Sequence, residues 1–486
     1  MKKSDKRIAV IGAGPMGLAT ARELRLKGFT QFTVFEKESA AGGTWHIQNY
    51  PGLACDVWAH SYTYSYAPNP NWSAVFVNQP EIEAYLQQCA RDFGVESHIR
   101  FNTGVMSAEL QDDGRWKLEI SDGTSDVFDA VINAMGNQYT PIFPKLKGMD
   151  RFQGDSWHSA RYNHAVDLTG KRVTVIGSAA AAIQIVPSIA PVVGHLTILQ
   201  RSPNWIVPRN NRLYSKFKKK LFNRMPFVLK VLRAIQGRLM NFVHGAVIMD
   251  SRRMKMFEDM GRKFIAKAID DPALQKAVTP NHRYGCKRPL VSDDFYPALN
   301  RKNVTLVTEA AAELTEDAVI TTEGKVIPSD VIIYCTGYKV MDFDRFPVAG
   351  VNGKSFADCM QQAPMAYKGI AVPGFPNYFL GMGPNSMVLS VSYFKSAEAN
   401  AQCIVQLLSD MCENDVKAVD AKPELYRSYN DWVVKSCKQF SWGSGTCHNY
   451  YMDEQGRTPF LYPEGYKHFM KMRADMSLAQ FQQIKK

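Results

Sequence analysis

The sequence predicts an α/β fold with two Rossmann-like units, the second inserted in the first and carrying a helical insert. A strand, a turn of small residues and a helix follow one another at residues 7–24 and again at 172–186. A short apolar strand, which begins after an acid and leads to a glycine, follows each copy at residues 129–136 and 330–337. The chain of 486 residues is also too long for one hydrophobic core, so it should divide into domains of about 100–200 residues.

The first unit opens with the apolar strand 8–11 and a Gly-x-Gly-x-x-Gly turn made by Gly12, Gly14 and Gly17. Such a turn lets the backbone approach a pyrophosphate, and the N-terminus of the following helix favours its negative charge. A second strand ends at Glu36, where a carboxylate suits a ribose with a free 2′-hydroxyl, as in the adenosine of FAD. We therefore expect these glycines and Glu36 to bind FAD.

The second unit repeats this design with a turn that starts at Gly177 and Ser178, and its second strand leads to Arg201. An arginine at that position suits a 2′-phosphate, so this unit should bind NADPH. Ala179 and Ala182 replace the second and third glycines of the fingerprint, and a methyl group there should shift or loosen the cofactor. The alternative is a degenerate unit that binds nothing.

The two repeats also predict the domain organisation. Residues 1–145 and 335–486 should form one discontinuous FAD domain, and residues 146–334 an NADPH domain that includes a helical insert at about 211–280. Gly136, which follows the returning strand of the first unit, should let the backbone pass close to FAD.

The insert is strongly basic. Residues 213–238 contain eight Lys and Arg and no acid, and apolar residues alternate with them at roughly helical spacing: Phe217, Leu221, Phe222, Leu229, Leu232 and Ile235. The favoured interpretation is a helix whose apolar side packs on the NADPH domain and walls the substrate pocket, with solvated lysines. The alternative is a surface helix that makes weak contact with an anionic membrane.

Composition excludes several other classes. The net charge is +12, but residues 213–276 alone hold 15 Lys and Arg against 5 Asp and Glu, which argues for a local patch and against nucleic-acid binding. The nine cysteines contain no Cys-x-x-Cys pair, so we expect mostly packed, reduced thiols, no metal site and a cytoplasmic location. No run of 18 apolar residues predicts a transmembrane span.

A short segment between the two units carries a specific resemblance. Phe152, Gly154, His158 and Tyr162 match the Phe-x-Gly-x-x-x-His-x-x-x-Trp/Tyr signature of class B flavoprotein monooxygenases. This class includes Baeyer–Villiger monooxygenases and flavin-containing monooxygenases that oxidise nitrogen or sulfur. The resemblance extends over nearly the whole chain, including Gly42-Gly43-Thr44-Trp45, Tyr50-Pro51-Gly52-Leu53-Ala54-Cys55-Asp56, Arg201-Ser202-Pro203-Asn204-Trp205 and Gly285-Cys286-Lys287-Arg288.

Two sets of residues give different indications of which branch of this class the chain resembles. Tyr162-Asn163 at the end of the signature is more similar to the flavin-containing branch, whereas Asp56 and the pair Lys287-Arg288 resemble the Baeyer–Villiger pattern. We favour the latter, because reaction-centre residues should outweigh a linker position. The resemblance then implies that NADPH, FAD and O2 convert a ketone into an ester or lactone through a C4a-peroxyflavin. The alternatives are N- or S-oxygenation, or an uncoupled NADPH oxidase or flavin reductase.

The resemblance also implies roles for individual residues. Arg288 would stabilise the reacting oxygens and Asp56 would hold it near the flavin; otherwise Arg288 would contact a phosphate of NADPH and Asp56 would cap a turn. Lys287 and Ser202 would join Arg201 around the 2′-phosphate. His158 would serve domain movement or simply be packed. The flavin would be lined by Lys37, Gly43, Thr44, Trp45, Asp56, Tyr62 and Val105.

Overall fold

The structure of the protein is a computed structural model that describes residues 2–446, 449–453 and 455–485. Its strands are β1 (Arg7–Ile11), β2 (Gln31–Phe35), β3 (Ile99–Arg100), β4 (Val105–Leu110), β5 (Trp116–Ile120), β6 (Ser125–Phe128), β7 (Ala130–Asn133), β8 (Asp155–His158), β9 (Arg172–Ile176), β10 (His195–Leu199), β11 (Ile206–Val207), β12 (Leu290–Val291), β13 (Val304–Val307), β14 (Ala311–Leu314), β15 (Ala318–Thr321), β16 (Val326–Pro328), β17 (Val331–Tyr334), β18 (Val348–Ala349), β19 (Tyr378–Leu380), β20 (Val416–Ala421) and β21 (Phe481–Lys485).

Its α-helices are α1 (Pro15–Leu26), α2 (Thr44–Ile47), α3 (Gln79–Asp92), α4 (Ala182–Ile189), α5 (Lys216–Arg224), α6 (Pro226–His244), α7 (Arg252–Ala268), α8 (Pro272–Val278), α9 (Phe295–Leu299), α10 (Phe356–Gln362), α11 (Tyr393–Glu413), α12 (Pro423–Cys437) and α13 (Tyr466–Ala474).

The first sheet has the strand order β19-β7-β1-β2-β3, and its strands are parallel. Ile8 and Val10 of β1 point to a hydrophobic cluster shared with α1 and α11. Ala9 and Ile11 point to the opposite cluster, under the small sheet β18-β4-β5-β6. A strand covered on both faces must be apolar at every position, which explains the unbroken apolar run in the sequence.

The second sheet repeats this arrangement with the order β13-β10-β9-β17-β8, again parallel. One face packs against α4 and α9, and the other against the small sheet β14-β15-β16. The prediction that residues 129–136 and 330–337 return to the sheets is confirmed, because β7 pairs with β1 and β17 pairs with β9. Every strand of the second sheet lies in the sequence between β7 and β19, so the second Rossmann-like unit is inserted in the first.

The two glycine turns are built alike. Gly12 (φ +105°) and Gly177 (φ +108°) adopt a backbone conformation that favours glycine, and a Cβ at either would approach the carbonyl oxygen of the residue just after the returning strand. The turns then differ. In the first turn, α1 begins at Pro15, and a Cβ on Gly17 would lie 1.8 Å from the carbonyl oxygen of Gly12. In the second turn, α4 begins only at Ala182, and the methyl group of Ala182 is buried. The later helix start explains why alanine is tolerated in the second copy.

The helical insert forms α5 to α8, but the expected packing of its first half is wrong. On α6, Leu229 and Gln236 are buried, and Gln236 accepts a hydrogen bond from Ser61 Oγ at 2.8 Å. The buried side of α6 therefore contacts the loop at residues 60–64, which belongs to the first unit. Phe217 and Ile235, expected on the packed side, are exposed. The reason is that buried polar contacts, more than apolar spacing, orient this helix.

The described cysteines depart from the expectation at one position. Free thiols are found at Cys55, Cys89, Cys335, Cys359, Cys403, Cys412 and Cys437. Cys286 is instead disulfide-bonded, so the expectation of reduced thiols is wrong there. Cys447 lies outside the described residues. Within the described ranges, no helix has the length and hydropathy needed to cross a membrane.

Candidate active site

A first cavity of about 700 Å³ lies at the carboxyl ends of the strands of the first sheet. This is the edge at which parallel α/β sheets bind their ligands. The predicted FAD residues that line this cavity are Gly12, Gly14, Glu36, Lys37, Gly43, Thr44, Trp45, Asp56, Tyr62, Val105 and Gly136. Gly17 does not line it and instead allows α1 to pack closely against the turn.

Glu36 places a buried carboxylate beside the glycine turn. One oxygen accepts a hydrogen bond from the backbone N–H of Ala13 at 2.7 Å, and the other accepts from that of Glu38 at 2.9 Å. Burial raises the pKa of Glu36 above its ordinary value, while these backbone donors act in the opposite direction. The carboxylate is thus fixed by the backbone at the wall of the cavity.

The other wall of this cavity is aromatic. Trp45, at the start of α2, donates its indole N–H to the hydroxyl of Tyr62 at 3.0 Å. Trp45 and Val105 also belong to hydrophobic clusters, so both residues serve the core as well as the cavity. Among the described residues, only Gly136 itself and its two chain neighbours have atoms within 4 Å of where a Cβ on this glycine would be, so it leaves open space at the cavity edge.

A second cavity of about 1450 Å³ lies at the corresponding edge of the second sheet. It is lined by all the residues predicted to bind NADPH: Gly177, Ser178, Arg201, Ser202 and Lys287. Lys287 Nζ donates a hydrogen bond to Ser202 Oγ. Burial lowers the pKa of Lys287, and the nearby Arg201 guanidinium lowers it further. Two cationic side chains side by side in one cavity, Arg201 and Lys287, indicate an anion-binding site.

Arg288 and Asp56 lie where the two cavities meet. Arg288 lines both of them, and its Nη2 donates to Asp56 Oδ2 at 2.5 Å. The pair is partly exposed, at 33% for the arginine side chain and 27% for the aspartate. The Asp56 carboxylate raises the pKa of Arg288 well above its usual value. The result is a permanent cation, held by a carboxylate from a distant loop, that points into a cavity.

Two further groups at this junction were missed by sequence reasoning. Gln184, on α4, accepts a hydrogen bond from Tyr50 Oη at 3.1 Å and donates to the carbonyl oxygen of Ala54 at 3.0 Å. It therefore ties the loop that carries Asp56 to the second unit. Tyr450 and Tyr451 line both cavities, with ring centroids 4.1 Å apart. No motif marks these tyrosines, because they are far from Arg288 in the sequence.

The structure does not bring the four signature residues to the cavities. Phe152, Gly154, His158 and Tyr162 are absent from the described linings of both. His158 ends β8 and is buried, with its Nδ1 accepting from the backbone N–H of Ala160 at 3.0 Å. Burial lowers the pKa of His158 to about 4, so the ring is neutral near pH 7. Its geometry is that of a packed, capping histidine.

His158 should make the folded state sensitive to acid. Its pKa is about 4 when folded and about 6.5 when unfolded, so the unfolded chain binds the proton first and stability is lost as the pH falls from about 6.5 to 4. Asparagine can accept the same backbone hydrogen bond without titrating. We expect the loss of unfolding free energy between pH 7 and 4.5, measured by urea denaturation, to be about 2 kcal/mol smaller in His158→Asn.

The matched control is His195→Asn, because His195 is an exposed histidine on β10. This control should keep the pH dependence of the wild-type protein. An unchanged dependence in His158→Asn would show that the buried ring does not titrate as proposed.

The class of the protein follows from comparison of its chain with known families. The chain belongs to the family described as flavin-binding monooxygenase-like, whose model matches residues 5–370. This match covers both glycine turns, Asp56 and Arg288.

Individual relatives are more specific. A Baeyer-Villiger monooxygenase of Pseudomonas aeruginosa is 36% identical over 467 residues, which cover 94% of this chain and 87% of the relative. A Baeyer-Villiger monooxygenase of Streptomyces coelicolor is 35% identical over 482 residues, which cover 99% of this chain and 93% of the relative. Among solved structures, a complex of OTEMO with FAD and NADP has a TM-score of 0.90 at 25% identity, covering 99% of this chain and all of that one. The closed form of cyclohexanone monooxygenase has a TM-score of 0.87, also at 25% identity, with 99% of each chain covered.

Proposed function

We propose that this protein is an NADPH- and FAD-dependent monooxygenase that inserts one atom of O2 into a ketone to give an ester or lactone. The observation that carries this proposal is the Arg288–Asp56 pair at the junction of two differently charged cavities. Relatives named Baeyer-Villiger monooxygenase, aligned over nearly the whole chain, support the same reaction.

The first cavity fits FAD. A pyrophosphate would lie over the turn at Gly12 and Gly14, where the start of α1 offers backbone N–H groups. The Glu36 carboxylate would accept hydrogen bonds from a ribose with free hydroxyls and would repel a 2′-phosphate. The remaining lining residues would surround the flavin ring. When bound and reduced, FAD supplies the activation of O2, which no side chain can provide.

The second cavity fits NADPH. Arg201, Ser202 and Lys287 together offer the charge-assisted hydrogen bonds that a 2′-phosphate requires. Gly177 and Ser178 would lie beneath the pyrophosphate. Ala179 lines the cavity with an exposed methyl group, so the pyrophosphate should sit farther from this turn than it would from a glycine.

Arg288 would stabilise the negative charge that develops on the carbonyl oxygen of the ketone as its carbon becomes tetrahedral. A guanidinium suits this role because it remains charged and donates hydrogen bonds in a fixed geometry. Asp56 would orient Arg288 without taking part in proton transfer. Gln184 supports both by tying the Asp56 loop to the second unit. Lipophilic substrates fit the mixed wall around Arg288, to which Leu290 contributes.

The strand positions support the predicted domain boundaries. We assign residues 1–145 and 335–486 to the FAD domain and residues 146–334, with the insert at about 211–280, to the NADPH domain. The first sheet takes its strands from residues 7–133 and 378–380, and the second from residues 155–334. The signature residues 152–162 then lie near the first crossing between domains, as a linker would. A cytoplasmic location stays a prediction from the sequence.

Product analysis tests the proposed reaction. The enzyme, loaded with FAD, would be supplied with NADPH, isotopically labelled dioxygen, one cyclic ketone and one aryl sulfide. We expect a lactone that contains one labelled oxygen atom. Sulfoxide without lactone would contradict the proposal in favour of heteroatom oxidation, and hydrogen peroxide with neither product would indicate an uncoupled oxidase.

A further inference from the structure

The insert presents an apolar stripe to solvent. Phe227, Val231, Ile235 and Leu239 follow one another at four-residue steps along α6, and their exposed fractions are 59%, 54%, 47% and 46%. Residues at this spacing lie on one face of a helix. Phe217 of the neighbouring helix α5 is 75% exposed. Contiguous exposed apolar residues of this kind mark interaction surfaces.

The stripe cannot turn inward, because the opposite face of α6 is anchored by polar contacts. Arg233 Nη1 donates to Thr63 Oγ1 at 2.9 Å and to the carbonyl oxygen of Tyr64 at 3.3 Å. Gln236, one turn further along, accepts from Ser61 Oγ. Rolling the helix would break these hydrogen bonds and bury unpaired polar groups, which is costly. The outward orientation of the stripe is therefore fixed by the fold.

The charges around the stripe have one sign. Lys216, Lys218, Lys220 and Arg224 on α5, and Lys230 and Arg238 on α6, are exposed. Residues 213–238 contain no Asp or Glu. A partner of this surface must therefore be apolar where it meets the stripe and anionic around it.

We propose that this surface, formed by α5 and α6 and called here the α5–α6 surface, docks on an anionic lipid bilayer. A helix with an apolar face and a Lys/Arg-rich polar margin lies in the membrane interface with its apolar side chains among the acyl chains. Anionic headgroups attract the surrounding lysines and arginines. The apolar stripe would then contact the acyl chains, and the basic residues would contact the anionic headgroups.

Other partners match this surface less well. In a symmetric dimer formed through it, the basic residues of one copy would face those of the other, and like charges would oppose association. A nucleic acid would satisfy the lysines but leave the apolar stripe without a partner. The bilayer is the partner that accommodates both.

The same helix borders the active-site cavity. Met240, next to Leu239 of the stripe, lines the first cavity together with Arg288. Docking would thus place α6 between the lipid and the cavity. Docking on a bilayer does not depend on the proposed reaction, so it can be tested in the absence of NADPH and ketone, when no turnover takes place.

The test is flotation of the FAD-loaded protein with vesicles. Vesicles of phosphatidylcholine with about one quarter phosphatidylserine should carry the protein upward at low salt, and pure phosphatidylcholine should carry much less. A stripe variant with Phe227, Val231, Ile235 and Leu239 all changed to Gln should partition at least about tenfold less into the anionic vesicles. A charge variant with Lys216, Lys218, Lys220 and Lys230 changed to Gln should lose the preference for anionic lipid.

The matched control changes Leu26, Val192, Val326 and Ile484 to Gln, because these apolar residues are similarly exposed elsewhere. It should partition like the wild-type protein, and FAD content and thermal midpoint should confirm that every variant folds. No flotation of the wild-type protein, or equal losses in the stripe variant and the control, would overturn the proposal. So would sedimentation velocity that shows a dimer which only the stripe variant dissociates.

Discussion

Replacing Arg288 with alanine is expected to lower ketone oxygenation by a factor of about 10³ or more. The arginine is the permanent cation at the junction of the two cavities, where it lies 2.5 Å from Asp56. Without it, negative charge that develops on the substrate oxygen would have no fixed cation to stabilise it. The uncompensated carboxylate of Asp56 would remain and oppose that charge further.

The effect should be specific to the oxygenation step. The rate of FAD reduction by NADPH, monitored by stopped-flow absorbance under anaerobic conditions, should change by less than about tenfold. This step develops no negative charge on a ketone oxygen. Arg288→Lys should recover part of the oxygenation, since lysine keeps the charge but not the planar pair of donors. Equal losses in both reactions would instead assign Arg288 to NADPH binding, the alternative left open by the sequence.

A second ion pair provides the control. Arg172 and Asp330 also lie 2.5 Å apart and are also distant in the sequence, but they are at the amino ends of β9 and β17, opposite the end of the second sheet that borders the cavity. Arg172→Ala removes the same kind of contact away from both cavities. It should leave oxygenation within about twofold of the wild-type rate, because exposed ion pairs contribute little to stability.

The fold could be read from the sequence because its signals are local and repeated. A turn that begins at Gly12 or Gly177 needs a glycine for its backbone conformation, and the acid or arginine at the end of the next strand follows within one βαβ unit. The pairing of Arg288 with Asp56 is different. These residues are 232 positions apart, and their proximity came from a family resemblance, since no spacing rule predicts it.

The insert shows where periodicity fails. Helical spacing predicted that the apolar side of this segment packs on the NADPH domain, and this was wrong because α6 has apolar residues on both its buried and its exposed face. Arg233 and Gln236 decide which face is buried through hydrogen bonds to residues 61–64, which are distant in the sequence. Tyr450 and Tyr451 were missed for the same reason. Such contacts depend on tertiary structure and leave no local pattern.

Replacing Arg201 with alanine should remove the preference for NADPH over NADH. One charge-assisted hydrogen bond contributes about 1.5–3 kcal/mol, so the KM for NADPH should rise by about 10- to 100-fold. The KM for NADH should hardly change, because NADH lacks the 2′-phosphate. Lys287→Ala should act in the same direction, since Lys287 binds Ser202 beside Arg201.

The comparison of the two coenzymes is what makes this test decisive for the second cavity. A general loss of folding or of domain contact would raise both KM values together, whereas loss of a 2′-phosphate site raises only that for NADPH. Arg301→Ala, at an exposed arginine after α9, should change neither value. Steady-state kinetics with both coenzymes would thus distinguish an NADPH site from the alternative suggested by Ala179 and Ala182, a degenerate unit that binds no coenzyme. Equal changes for NADPH and NADH would show that Arg201 does not recognise the 2′-phosphate.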